Sequence, residues 1–217
     1  MHSFMRSATK RIIMHSLMSI LERKSMDEIT VRMVCEKSGV SRQTFYNHYY
    51  CLMAVFEDSF REEVLQSTSE NSAHKCEIGL EKVLYFCYAH KKSVLHVYSS
   101  RFGNELLVFI EKVAKTLIEN GINGCISASD IQISDWDVDF LKFFYLCIFM
   151  GTLRTYLKSG IKESPYFLLS RNGVMLENNT RKSLDKLQKL ENEESAEDQK
   201  GKHSLQSDPF VKLFDME

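Results

Sequence analysis

The chain has 217 residues, 44% of them hydrophobic and 26% charged, which is enough apolar content for a buried core and too much for wholesale disorder. With only 2 Pro and 9 Gly it lacks the turn residues of an all-β protein, so a helical fold is expected. The formal charge of −1 excludes a uniformly basic nucleic-acid coat, yet residues 1–51 carry eight Lys/Arg against four Asp/Glu, a net +4 that leaves −5 for the remainder.

In chain order, Ile13, Leu17, Ile20 and Leu21 recur at helical spacing and predict an amphipathic helix over about 6–24. The segment SMDEI is a tight connection. Thr30 can cap a short helix from Val31 to Ser38, and Gly39 can end it in a left-handed conformation. Ser41 can cap the next helix, about 42–48, so residues 30–48 have the outline of a helix-turn-helix. Val55, Phe56, Phe60 and Val64 continue the helical pattern beyond Met53.

A polar loop is expected over 68–76, then helices at 77–91, 92–99, 103–120 and 135–159. Asn120-Gly121 and Asn123-Gly124 predict a loop running to about residue 133. Ser134 and Asp137 resemble a capping box, and Gly160 suits a helix stop. Ser164-Pro165 opens another helix, with a break or kink at Asn172-Gly173 before 174–190. From residue 191 onward almost nothing can be buried, and 191–217 is expected to be a disordered tail.

Cys35, Cys51, Cys76, Cys87, Cys125 and Cys147 form no CxxC pair, which points to reduced thiols and a cytoplasmic protein. Cys87-x-x-His90 lacks the other ligands of a closed metal site, so no metal or other cofactor is expected. The first 24 residues are interrupted by His15, Ser16 and Ser19 and do not read as a signal peptide. The most apolar run, Phe143 to Leu153, is short of the roughly 20 residues that span a bilayer, and it reads as a buried helix. No Gly-rich phosphate loop, nucleophile elbow or paired metal ligands suggest an enzyme. Asp135, Asp137 and Asp139 at a helix start read as charges complementing its dipole.

The informative stretch is TVRMVCEKSGVSRQTFYNHYYCLMAVF, from Thr30 to Phe56. In the third helix Phe45 and Tyr49 can face the core together, which turns Arg42, Gln43, Tyr46 and Asn47 outward. Arg pairs in bidentate fashion with guanine edges and Gln with adenine. Thr44, Tyr46 and His48 suit phosphate oxygens, and Thr30 with Arg32 makes a second anchor at a helix N-terminus. Ser41 completes this surface. An ordinary helical hairpin with aromatic core residues is the plainer alternative, but the Gly turn, both capping hydroxyls and the basic head coincide here.

The segment from about Thr9 to Phe60 resembles the DNA-binding domain of TetR/AcrR-family transcriptional regulators, chiefly in Gly39-Val40-Ser41 followed by Thr44-Phe45-Tyr46-x-His48-Tyr49. The resemblance implies an all-α homodimer with an N-terminal three-helix helix-turn-helix domain and a C-terminal helical ligand and dimerisation domain. It puts Arg32, Arg42 and Gln43 where family members contact bases, and Thr30, Thr44, Tyr46 and His48 where they hold phosphates. SRQTFYNHY and the later FFYLCIFMGTLRTYLKSGIKESP also resemble the branch of dihydroxyacetone kinase regulators. One departure is plain: where the family usually has a phosphate-clamping Lys, this chain reads Tyr50-Cys51-Leu52-Met53.

The expected organisation is therefore a DNA-binding head at 1–51, an effector-binding and dimerisation body at 52–190, and the tail. The helix at 135–159 is apolar nearly all round from Phe143 to Met150 and needs cover, either from a second subunit or from the monomer's own core. Tyr85, Phe86, Tyr88, His90, His96, Tyr98, Phe102 and Phe109 are scattered where family members often keep an effector cavity, though filling the core is the commoner role for such residues. The expected function is regulation, chiefly repression, of transcription by a homodimer on a palindromic double-stranded DNA operator, modulated by a small molecule. The alternative is a relative that has shed DNA binding and acts as a protein-interaction co-regulator.

Overall fold

The computed structural model describes residues 2–66, 80–128, 132–168 and 179–198. Among these residues there is no strand. The helices are α1 (His2–Leu21), α2 (Val31–Ser38), α3 (Arg42–Tyr46), α4 (Leu52–Gln66), α5 (Glu81–Ala89), α6 (Lys91–Tyr98), α7 (Gly103–Ser127), α8 (Asp135–Lys158) and α9 (Asn179–Asp198). A 3-10 turn at Met26–Glu28 joins α1 to α2, closed by reciprocal bonds between Ser25 and Glu28. The chain divides by contact into two compact units. One holds 1–71, 81–110 and 155–162, and the other holds 72–80, 111–154 and 163–217.

In the first unit α1 packs on α2, α4 and α6, while α4 packs on α5. Ile13, Leu17 and Leu21 of α1 are fully buried, as the periodicity requires. Phe60 sits at the centre of an aromatic cluster, 4.6 Å from Phe86 and 5.2 Å from Phe109 between ring centroids. Burying each such ring contributes about 1.5–3 kcal/mol. The C-terminal end of α1 is tied to α6 by polar contacts. The buried Ser93 hydroxyl lies 3.3 Å from the Met18 carbonyl and 3.1 Å from the Glu22 carboxylate, and His96 Nδ1 meets the Leu21 carbonyl. Next to them the Arg101 amide donates to Asp27 at 3.2 Å.

In the second unit α7 buries Val113, Ala114, Leu117, Ile118, Ile122 and Cys125 along one stripe. That stripe corrects the loop expected from Asn120 to about residue 133: α7 runs unbroken through both Asn-Gly pairs to Ser127. Ile122 and Cys125 continue the spacing of Leu117 and Ile118, and burying them outweighs the roughly 1 kcal/mol that each interior Gly costs a helix. Residues 129–131 lie outside the described residues.

Helix α8 starts as expected, with the Asp137 amide donating to Ser134 at 3.2 Å. It buries Asp137, Leu141, Tyr145, Phe149 and Leu153 on one side and leaves Trp136, Phe144, Cys147 and Gly151 exposed on the other. Among the described residues α8 is the one helix long and apolar enough to cross a membrane by length and composition. The Phe167 amide donates to Ser164 at 3.3 Å, opening the expected helix, and residues 165–168 are helical. Its continuation, the expected break at Asn172-Gly173 and the polar loop at 68–76 fall outside the described residues. Helix α9 runs on to Asp198, into the segment expected to be disordered, and 199–217 lies outside the described residues.

The α6–α7 junction admits no side chain at Gly103, because a Cβ there would overlap the Tyr98 carbonyl oxygen. Gly103→Ala is expected to lower stability by about 1–3 kcal/mol, read as a lower urea midpoint with an unchanged slope.

Candidate nucleic-acid interface

Local chemistry sets the geometry of the head before any partner is considered. The Thr30 hydroxyl accepts from the Met33 amide at 3.3 Å and caps α2. Gly39 follows α2 at φ 70°, and its amide donates back to the Cys35 carbonyl. Ser41 then caps α3, accepting from the Thr44 amide at 3.0 Å, with the Ser41 and Thr44 hydroxyls 2.8 Å apart. The turn is closed by a residue that pays no steric penalty for a left-handed backbone.

The helix is shorter than expected, five residues from Arg42 to Tyr46 rather than about 42–48. The chain stays coiled past its end, since the Asn47 amide bonds to the Gln43 carbonyl at 3.0 Å and the Tyr49 amide to Phe45 at 2.9 Å. Phe45 is fully buried and Tyr49 is 4% exposed. Inward placement of that pair sends Arg42, Gln43, Tyr46 and Asn47 to the outside, where all are exposed. Thr30, Arg32 and Ser41 are exposed too, while Thr44 and His48 are half-buried. The residues singled out from the sequence thus lie on α3, in the turns on either side of it and at the start of α2.

Sequence reading missed the device that holds α3 in place. Tyr49 donates to Asp58 Oδ2 of α4 at 3.0 Å, and Lys10 Nζ of α1 reaches the same oxygen at 2.6 Å while lying 5.1 Å from the Tyr49 ring centroid. Burial first, and then the Asp58 charge, pushes the Tyr49 hydroxyl well above the usual phenol range, so it remains a donor. Lys10 is 48 positions from Asp58, and Tyr49 reaches Asp58 nine positions on across the turn into α4, so nothing in the local pattern pairs them.

The electrostatics of the exposed face are uneven. Arg32 is bound to Glu36 at 2.6 Å, and that hydrogen bond raises its guanidinium further above an already high value. Arg42 has no ion-pair partner among the described residues. An open groove of about 410 Å³ lies between Arg32, Cys35, Glu36, Gly39, Val40 and Arg42. Where the family carries its Lys, Cys51 Sγ accepts the Ala54 amide at 3.4 Å, Leu52 starts α4, and Tyr50 is 77% exposed.

The residues read from sequence as possible effector contacts separate into different environments. Phe86 and Phe109 are core, Tyr85 and Tyr88 are exposed, His90 Nε2 is 2.7 Å from Glu63, and His96 is held by α1. A groove of about 450 Å³ among α1, α4 and α5 has Met14, Met18 and Phe86 on its apolar side and His15, Glu62 and His90 on its polar side.

Because Gly39 sits at φ 70°, Gly39→Ala forces a Cβ into a left-handed backbone. The expected cost is about 1–2 kcal/mol, measured as a fall in the urea unfolding midpoint, even though the space around Gly39 is open.

Residues 74–178 match a family model described as "Transcriptional regulator C-terminal region" of TetR type. No curated protein matches the chain. Among solved structures, the dihydroxyacetone kinase operon activator DhaS is similar with a TM-score of 0.60 and 19% identity, over 80% of this chain and 96% of that one. At that identity the likeness is one of fold, and it is the same all-α fold that the head motif implies. Head motif, C-terminal match and fold agree, and together they support a transcriptional regulator of TetR type.

Proposed function

We propose that this regulator binds a palindromic double-stranded DNA operator as a cytoplasmic homodimer, reading bases with Arg32, Arg42 and Gln43 and holding phosphates with Thr30, Ser41, Thr44, Tyr46 and His48, with Asn47 beside them. The observation that carries this reading is the exposed Arg42, without an ion-pair partner among the described residues, at the N-terminus of a capped helix whose opposite face is buried. Such a helix presents a fixed guanidinium fork to a major groove, and a good bidentate pair is worth about 1–3 kcal/mol of discrimination. In a gel shift on the region upstream of its own gene, Arg42→Ala is expected to weaken binding by about tenfold or more on the same scale, and Tyr46→Phe by less. Undiminished binding by both variants would remove α3 from the interface.

In this reading the head is residues 1–51, and 52–190 form the effector and dimer body. The apolar stripe of Trp136, Phe144, Cys147 and Gly151 on α8 supports dimerisation, since an exposed apolar stripe on a long helix calls for a covering partner. Two heads about 34–36 Å apart would meet successive major grooves. Light scattering should give twice the 25.2 kDa chain mass, and Phe144→Glu with Cys147→Glu should give the monomer with helicity retained.

A small-molecule effector completes the proposal. The polar contacts of Ser93 and His96 with α1 supply a route by which a shift of α6 would move the head. Repression is the proposed sign; the fold neighbour is named an operon activator, so a promoter-reporter assay comparing the unaltered protein with the weakened Arg42→Ala variant decides the direction. The co-regulator reading is favoured by Leu52, where a clamping cation is missing. Absence of any binding to random duplex at low salt would select it.

A further inference from the structure

Seven of the head's eight cations fall into two groups. Lys10, Arg11 and Arg32 are each paired with a carboxylate, at 2.6, 3.1 and 2.6 Å respectively. Arg23, Lys24, Lys37 and Arg42 are exposed and have no ion-pair partner among the described residues. Arg42 belongs to the reading face. The other three line one groove of about 510 Å³ between α1 and α2, floored by Ile20 and Met33. Its single acid, Glu36, is already occupied by Arg32.

This groove adjoins the reading face, because Glu36 also lines the groove between α2 and α3 that contains Arg42. In helix-turn-helix docking the helix before the recognition helix crosses the DNA backbone. Phosphates beyond that crossing belong to the flank of the site, and a duplex offers one charge per roughly 1.7 Å of axis there. The occupant that matches a cationic trough continuous with a base-reading surface is thus more of the same duplex.

We propose that Arg23, Lys24 and Lys37 form a second, sequence-independent DNA surface that takes the sugar-phosphate backbone flanking the operator core. It rests on the DNA-binding reading and extends it: Arg23 supplies a planar fork to phosphate oxygens, and Lys24 and Lys37 supply point charges. No base edge is read, so the groove lengthens the footprint and steepens the salt dependence without adding sequence preference.

The test uses the full-length protein, a minimal duplex trimmed by footprinting from the region upstream of its own gene, and the same duplex extended by arbitrary sequence on both sides. Affinities are titrated against salt for the unaltered protein and for Arg23→Ala/Lys24→Ala/Lys37→Ala, whose fold is checked by circular dichroism. For the unaltered protein, extension is expected to tighten binding by about tenfold at low salt and to steepen the log–log slope by about 2.7 per head. The triple variant should bind the minimal duplex like the unaltered protein and lose the gain from extension. Randomising the added sequence should change nothing. If the unaltered protein binds the minimal duplex but extension adds nothing, or the variant keeps the full gain, the flank surface is overturned while the operator reading stands. Equal losses on both duplexes would assign the cations to the operator core and likewise overturn it. Failure of the unaltered protein on both duplexes would instead overturn the DNA-binding reading itself.

Discussion

Tyr49 is held from two directions, by Asp58 of α4 and by the ammonium of Lys10 on α1, and the rest of the head depends on that anchorage. A five-residue helix has too little internal hydrogen bonding to fix its own orientation. Its orientation comes instead from Phe45 and Tyr49, one turn apart and both buried, which commit the opposite face to solvent. The Gly39 turn and the Ser41 cap then determine where that face begins. An arginine on such a helix has a defined starting point, which is what a bidentate base contact needs.

Charge pairing complements this anchorage. Lys10 and Arg11 are consumed by α4 carboxylates and stabilise the head, whereas Arg23, Lys24, Lys37 and Arg42 remain available to an outside anion. The exposed cations without an ion-pair partner among the described residues thus lie on α3 and in the trough beside α2. Glu36, which lines the grooves on both sides of α2, holds Arg32 in an ion pair. The contacts from α6 to the end of α1 are short and specific, and they join the head to the helices that follow it in the same compact unit. The outer apolar stripe of α8 is the matching feature of the other unit.

Much of this was legible before any coordinates. The caps at Thr30 and Ser41, the glycine at 39 and the inward pair Phe45 and Tyr49 are local signals, each carried by residues within one or two helical turns. The outward residues Arg42, Gln43, Tyr46 and Asn47 followed by exclusion. What went astray also has a local cause. Asn120-Gly121 and Asn123-Gly124 are strong turn signals, yet Ile122 between them and Cys125 beyond them are buried, and burial decided the outcome.

The sequence alone therefore determined the all-α class, the helix-turn-helix and which residues of its second helix face outward, because capping and amphipathic periodicity act over a few neighbouring residues. Tertiary structure alone decided which cations are spent on carboxylates and which face outward, how Lys10 and Asp58 brace Tyr49, and which side of α8 is left apolar and exposed. Those outcomes depend on distances between residues far apart in the chain, and such distances exist only once the helices have packed.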